Sequence, residues 1–223
     1  LLVEMLVLTP LASNCYILHE EETRRAVVVD PGGEAAEILE VIRSKGLQVE
    51  AILCTHGHID HVGANAEVRR ATGAPIAIHQ ADAAMLTDEV LCGARWCELP
   101  FETHQHDVVL EPGKPVLGPF PFQVHHVPGH SPGCVLLWLP DRGLALGGDL
   151  LFEGSIGRTD LPGGDQDAMD ESLRRVMALL PDDTTILPGH GRPTTVEQER
   201  RSNPFVRAAM RAAVSRNRKG PSL

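Results

Sequence analysis

Aromatic side chains are scarce in this sequence: Phe, Trp and Tyr together make up 4% of its 223 residues. A core of that composition must be packed mainly from the Val, Ile, Leu and Ala that dominate its hydrophobic 43%. Long apolar runs are missing too. No stretch reaches the roughly 18 continuous apolar residues of a membrane helix, so the membrane is not an expected partner. The opening LLVEMLVLTPLASN lacks a basic flank and carries Glu4, so it reads as a first strand and not as a secretory signal. Positive charge is in short supply, with 20 Lys and Arg against 30 Asp and Glu and a net charge of −10. Such a surface repels polyanions, which argues against nucleic acid as a partner. The basic residues that do cluster, Arg200, Arg201, Arg207, Arg211, Arg216, Arg218 and Lys219, read as a solvated helix face and tail. There is no disulfide framework either. Cys15, Cys54, Cys92, Cys97 and Cys134 are odd in number, and their spacings fit neither paired bridges nor a CxxC ribbon. Cys54 and Cys134 adjoin apolar runs, where a reduced thiol packs as a small hydrophobe. A bridge between Cys92 and Cys97 is disfavoured, and the usage suits a reducing cytoplasm.

What is present is a series of short β-branched runs that stop abruptly at Gly, Pro, Asp or His. Residues 26–29, 51–54, 75–78, 122–127, 143–146 and 184–187 have this form and predict strands. Helical spacing appears between them. Residues 34–45 place Ile38, Val41 and Ile42 on one face, with Gly46 as the stop. Residues 64–72, with the chain turning into that helix from 62, and 80–87 predict shorter helices, and 167–180 carries a stripe of Met169, Leu173, Val176, Met177 and Leu180. Thr194 with Glu197 reads as a capping box, and Pro204 restarts a last helix to about Asn217. Residues 90–107 have no period and predict a long loop of the kind that forms lids. The length suits one sizeable core, hence one domain over 1–223, built as an α/β layered fold of two packed sheets with helices outside.

The strand ends carry the chemistry. CTHGHIDHVG over 54–63 holds His56, His58, Asp60 and His61, while His130, Asp149 and His190 each follow another strand end. In layered α/β folds, ligand-binding groups gather on loops at strand termini. His56 and His58 are two apart and can point the same way in an extended segment. Asp60 and His61 fall where the chain turns into a helix and diverge by about 100°. One ion would struggle to accept all four groups. Two divalent ions, typically about 3.5–4 Å apart and sharing an activated water, would accommodate all seven, with Asp149 bridging through its two oxygens. Imidazole and carboxylate without thiolate suit Zn, Fe or Mn. The remaining histidines, His19, His79, His104, His106, His125 and His126, read as ordinary surface or core residues; one of the 125/126 pair is a candidate to back a ligand.

At these residues the sequence resembles the metallo-β-lactamase-fold hydrolases. THGHIDH (55–61), PGHSPG (128–133), GGD (147–149) and PGHG (188–191) occur in that family's order. The resemblance implies an αββα sandwich of two mixed sheets. It implies one ion on His56, His58 and His130, a second on Asp60, His61 and His190, and Asp149 between them. It also implies that Asp30 of DPGG is a neighbour of the ligands and not itself a ligand. SIGRTDLPGGD (155–165) and ERRSNPF (199–205) are similar to a short-chain branch of glyoxalase II, the hydroxyacylglutathione hydrolases. Only residues 191–223 follow His190, too few for the helical C-terminal domain of full-length glyoxalase II.

The expected activity is hydrolysis of a small anionic thioester such as S-lactoylglutathione by a hydroxide held between two metal ions, zinc first among them. Two divalent ions, less Asp60, Asp149 and the hydroxide, leave a local charge of about +1 in an otherwise acidic protein. Asp60 is the expected proton acceptor. Arg158 and Asn14 are the candidate substrate contacts. The main rival is a persulfide dioxygenase of the same fold, which resembles this sequence at the same motifs and uses one iron on the equivalents of His56, His130 and Asp149. Hydrolysis of another small ester or a lactone is a further alternative.

Overall fold

The computed structural model describes residues 1–218, with side chains described as far as Arg211. The chain opens with β1 (Leu2–Leu8), β2 (Ser13–His19) and β3 (Arg25–Val29), then α1 (Ala35–Ser44) and β4 (Gln48–Leu53). A four-residue helix α2 (Ile59–Val62), α3 (Asn65–Thr72) and β5 (Ile76–Ile78) follow. A 3-10 helix over Gln80–Leu86, the short α4 (Ala94–Cys97) and β6 (Val108–Val109) come next. The second half runs β7 (Gln123–His126), β8 (Val135–Leu139), β9 (Leu144–Gly148), α5 (Gln166–Leu179), β10 (Thr185–Pro188), β11 (Thr194–Thr195), α6 (Val196–Ser202) and α7 (Pro204–Arg218).

The strands form two mixed sheets, ordered β1-β2-β3-β4-β5-β6 and β11-β10-β9-β8-β7. Their alternation explains the layering. In β3, Ala26 and Val28 face an outer core with Ile38, Ile42 and Val68 from α1 and α3, while Val27 and Val29 face inward. The inward face meets Val135, Leu137 and Leu146 of the second sheet. On the far side, Leu136, Ala145 and Ile186 pack on Met169, Leu173 and Val176 of α5 and on Val206 of α7. The order is thus helix, sheet, sheet, helix, the expected αββα sandwich. Strands buried on both faces read as continuous apolar runs, which is why 26–29 and 51–54 are so uniformly hydrophobic. Each such Val or Ile contributes roughly 1.5–3 kcal/mol by leaving water.

Several local expectations shift. Asp60 and His61 lie within α2, separated from α3 by Gly63 and Ala64, and not at the start of one helix over 62–72. Residues 80–86 wind as a 3-10 helix, with His79 Nδ1 accepting from the Ala81 N–H. The capping pair sits one residue later than expected. Thr195 accepts from the Gln198 N–H, because Thr194 lies in β11 and its hydroxyl donates to the buried Glu199 at 2.6 Å. The loop over 90–107 contains α4. Of the basic cluster, Arg200 pairs with Asp182, while Lys219 and the side chains of Arg216 and Arg218 lie outside the described residues. Among the described residues no helix is long and apolar enough to cross a membrane.

Candidate metal centre

The parallel pairs β3/β4 and β9/β10 end at the same edge of the sandwich. Their last residues, with the loop after β7, deliver the seven predicted side chains to one place. The two sheets are tied there by the backbone, with the Val135 N–H donating to the Thr55 carbonyl at 2.8 Å and the Asn14 N–H to the Gly189 carbonyl at 2.7 Å. Gly189 is needed for closeness: a Cβ there would stand 2.1 Å from Asp149 Oδ1 and 2.7 Å from His61 Cε1.

Two donor sets result. His56, His58 and His130 bring one ring nitrogen each within 4.8 Å of one another, as do the donor atoms of Asp60, His61 and His190. His58 Nδ1 lies 2.8 Å from His130 Nε2, and His61 Nε2 lies 3.4 Å from His190 Nε2. Asp149 spans both sets: Oδ1 is 3.4 Å from His61 Nε2, and Oδ2 is 3.4 Å from His130 Nε2 and 3.6 Å from His190 Nε2. Asp60 Oδ2 is 3.1 Å from His190 Nε2 and 3.5 Å from His61 Nε2.

These spacings suit ions. Ligands about 2.0–2.1 Å from a tetrahedral centre stand roughly 3.3 Å apart, close to most of the separations observed. His56 Nε2 and Asp149 Oδ1 are buried without a hydrogen-bond partner, a costly state unless something else satisfies them. In His130 and His190 the nitrogen facing away from the cluster is held by backbone. His130 Nδ1 donates to the Arg158 carbonyl at 2.7 Å and His190 Nδ1 to the Ala12 carbonyl at 3.2 Å. Each ring thereby presents Nε2 to the cluster.

Asp30 also lies within reach of His56 and His61, but its oxygens are occupied. Oδ1 accepts from the Thr55 N–H at 2.7 Å. Oδ2 accepts from the Thr55 hydroxyl at 2.6 Å and stands 3.1 Å from His61 Nδ1. Asp30 orients His61 and Thr55 and is poorly placed to hold an ion.

Electrostatics separates the rings. Burial, reinforced by neighbouring imidazoles, pulls His56 well below its ordinary range and His58 down to about 3. For His61 burial acts in the same direction, but the carboxylates of Asp60 and Asp149 outweigh it and raise its pKa well above the ordinary value. His190 is raised as well, against burial, by its hydrogen bond to Asp60 and the charge of Asp149. Burial opposes the Asp60 carboxylate, yet His61 and His190 hold it far below the usual range.

The two expected substrate contacts are differently employed. Asn14 does not line the cleft. It is buried beneath the His190 loop, where its Nδ2 donates to the carbonyls of Pro188 and Gly191 at 2.9 Å each. Arg158 does reach the cleft wall, but its guanidinium pairs with Asp160 at 2.6 and 2.8 Å. His125 and His126 back no ligand: His126 stacks on His79 at 4.2 Å and His125 lies against Trp138. Cys92 and Cys97 are both free thiols.

One residue escaped sequence reasoning. Buried Asp82, in the 3-10 helix, accepts from the Gly57 N–H at 3.0 Å, the Ser131 hydroxyl at 2.5 Å and the Gly133 N–H at 2.6 Å. It therefore fastens the loop of His56 and His58 to the loop of His130. A Cβ on Gly133 would fall 2.6 Å from the Asp82 carboxyl carbon, so glycine there permits the clamp. No local pattern marks Asp82, because its partners lie 25, 49 and 51 positions away.

Comparison with known proteins agrees with this geometry. Residues 8–190 match the family model described as the metallo-beta-lactamase superfamily. The hydroxyacylglutathione hydrolase GloC of Haemophilus influenzae is 34% identical over 212 residues, covering 92% of this chain and 97% of that protein. The crystal structure of the B3 metallo-beta-lactamase BLEG-1 superposes with a TM-score of 0.87 at 37% identity, covering 92% and 99% of the two chains. That of TTHA1623 in a di-iron-bound form gives 0.83 at 41%, covering 91% and 100%. With its four strand-end motifs gathered into two adjoining donor sets, the chain belongs to the metallo-beta-lactamase superfamily.

Proposed function

We propose that this protein is a dinuclear metallohydrolase that cleaves a small thioester such as S-lactoylglutathione. The observation that carries the reading is the Asp149 carboxylate, which reaches from the set of His56, His58 and His130 to the set of Asp60, His61 and His190. The likeness to GloC supports the bond class. The donor chemistry favours zinc, with iron or manganese also compatible.

When bound, such ions supply an activated water and polarise the substrate carbonyl. The chain's own residues do the rest. Asp60, with its side chain 15% exposed and flanked by His61 and His190, orients the incoming water and accepts its proton. The carbonyl carbon gains the water's oxygen, the carbon–sulfur bond breaks, and the products are a carboxylate, a thiol and one proton. A thiol with a pKa near about 8.5 leaves without a strong acid, so no further proton donor is required of the chain.

The competing reading is the mononuclear-iron persulfide dioxygenase. Against it stands the second donor set, which is assembled as closely as the first. The deciding experiment combines metal analysis with two assays, S-lactoylglutathione hydrolysis and oxygen uptake on glutathione persulfide. Two ions per chain with hydrolysis is the expected result. One iron per chain with oxygen uptake would overturn the proposal.

A further inference from the structure

The cleft above the metal centre, about 360 Å³ in volume, has walls that the hydrolytic chemistry leaves unused. Leu11 enters from the turn between β1 and β2, Leu91 and Trp96 from the segment around α4, and Leu161 with Pro162 from the loop before α5. Three of these are among the most exposed large apolar side chains described: Leu11 at 40%, Leu91 at 37% and Trp96 at 69%. Isolated exposed apolar residues are ordinary, but a group converging on one opening marks a binding surface. The Trp96 indole N–H donates to the Val90 carbonyl at 3.3 Å, which anchors the ring to its own loop. Basic side chains are nearly absent from the opening. Among the described residues that line the cleft, Arg158 is the one Arg or Lys, and its bidentate partner Asp160 already balances it.

We infer that the opening of the cleft is an apolar subsite for the sulfur carrier of the thioester, seated against Trp96, Leu91, Leu11 and Leu161, and that it favours an uncharged apolar carrier over a peptide thiol with free carboxylates. The inference rests on the thioesterase reading and specifies which thioester. A carrier such as glutathione brings two carboxylates and an ammonium group to the opening. Charges drawn from water need partners, and this cleft has one Arg or Lys, already matched. An apolar carrier leaves the Arg158–Asp160 pair undisturbed and gains burial on the leucines and the indole. Its polar acyl end still reaches the floor, where the histidines and carboxylates lie.

The test uses the metal-loaded protein and two thioesters with the same lactoyl group, one on glutathione and one on benzyl mercaptan. The benzyl thioester is expected to show a kcat/KM higher by about tenfold or more, mainly through KM. Trp96→Ala, a change at a largely exposed side chain, is expected to bring the ratio of the two substrates close to one by raising KM for the benzyl thioester. A preference for the glutathione thioester, or a ratio unaffected by W96A, would overturn the inference while leaving the thioesterase reading intact. Cleavage of neither substrate would overturn both.

Discussion

Asp60 and Asp149 belong to one cluster but occupy different positions in it. Asp149 reaches both donor sets, whereas Asp60 meets only His61 and His190 and opens onto the cleft. Asp60→Asn keeps an oxygen ligand but loses the base. A fall in kcat of about 10²–10⁴-fold is expected, with metal content measured alongside; full activity with both ions retained would remove Asp60 from its assigned role. The histidines predict a pH effect whose sign can be worked out. In the metal-free protein His61 and His190 have raised pKa values, caused by facing carboxylates that outweigh burial. They hold protons there above the ordinary range, and an ion needs the same Nε2 lone pairs. Metal uptake therefore releases protons, and below those raised pKa values apparent affinity weakens by about tenfold for each unit the pH falls, per proton released. Calorimetry in buffers of different ionisation enthalpy measures that release; uptake without it would contradict the assignment. At this scale the sequence was most informative where the motif was local. His56 to His61 declare themselves by spacing. Asn14 did not, since its partners Pro188 and Gly191 lie 174 and 177 positions away, and a lone asparagine gives no hint of such a brace.

Elements deliver the ligands, and the joints between elements decide how firmly. The Asp82 clamp joins the turn after β4 to the turn after β7 through three hydrogen bonds to one carboxylate. Asp82→Asn removes acceptor capacity without removing bulk. Its expected effect is a 10–100-fold loss of affinity, by order of magnitude, for the ion held by His56, His58 and His130. Competition with a chromophoric chelator measures this independently of activity. Unchanged affinity would reduce Asp82 to a packing role. The strands were legible because runs such as 26–29 are apolar on both faces. The helices α1 and α5 were legible because their stripes are long. Short pieces were misread where a turn intervened: Gly63 and Ala64 part α2 from α3, and the brief β11 shifts the cap of α6 from Thr194 to Thr195.

For the whole molecule, the two sheets meet at an edge crowded with imidazole and carboxylate, much of it buried. Without ions, those groups face one another unscreened. Ions that bind only the folded state add stability by mass action. Removal by a strong chelator is therefore expected to lower Tm by on the order of 5–10 °C, fully restored by adding back the divalent metal. A Tm indifferent to chelation would mean that the donor sets are not loaded. The layer order was legible from strand and helix alternation combined with the family motifs. The choice of substrate was not, because the cleft walls come from three loops with no shared pattern.

The brace under His190 has a further consequence for how the site is completed in time. The chain is made from its N-terminus, so His56, His58 and His130 all leave the ribosome before His190. Ala12 and Ser13 hold His190 through a hydrogen bond and a backbone bridge, and Ala12 has by then waited 178 positions for its partner. The set of three histidines is synthesised whole while the set of Asp60 and His61 still lacks its last member. The direction of translation thus gives the two half-sites an order of completion, first the all-histidine one and then the one that carries the base.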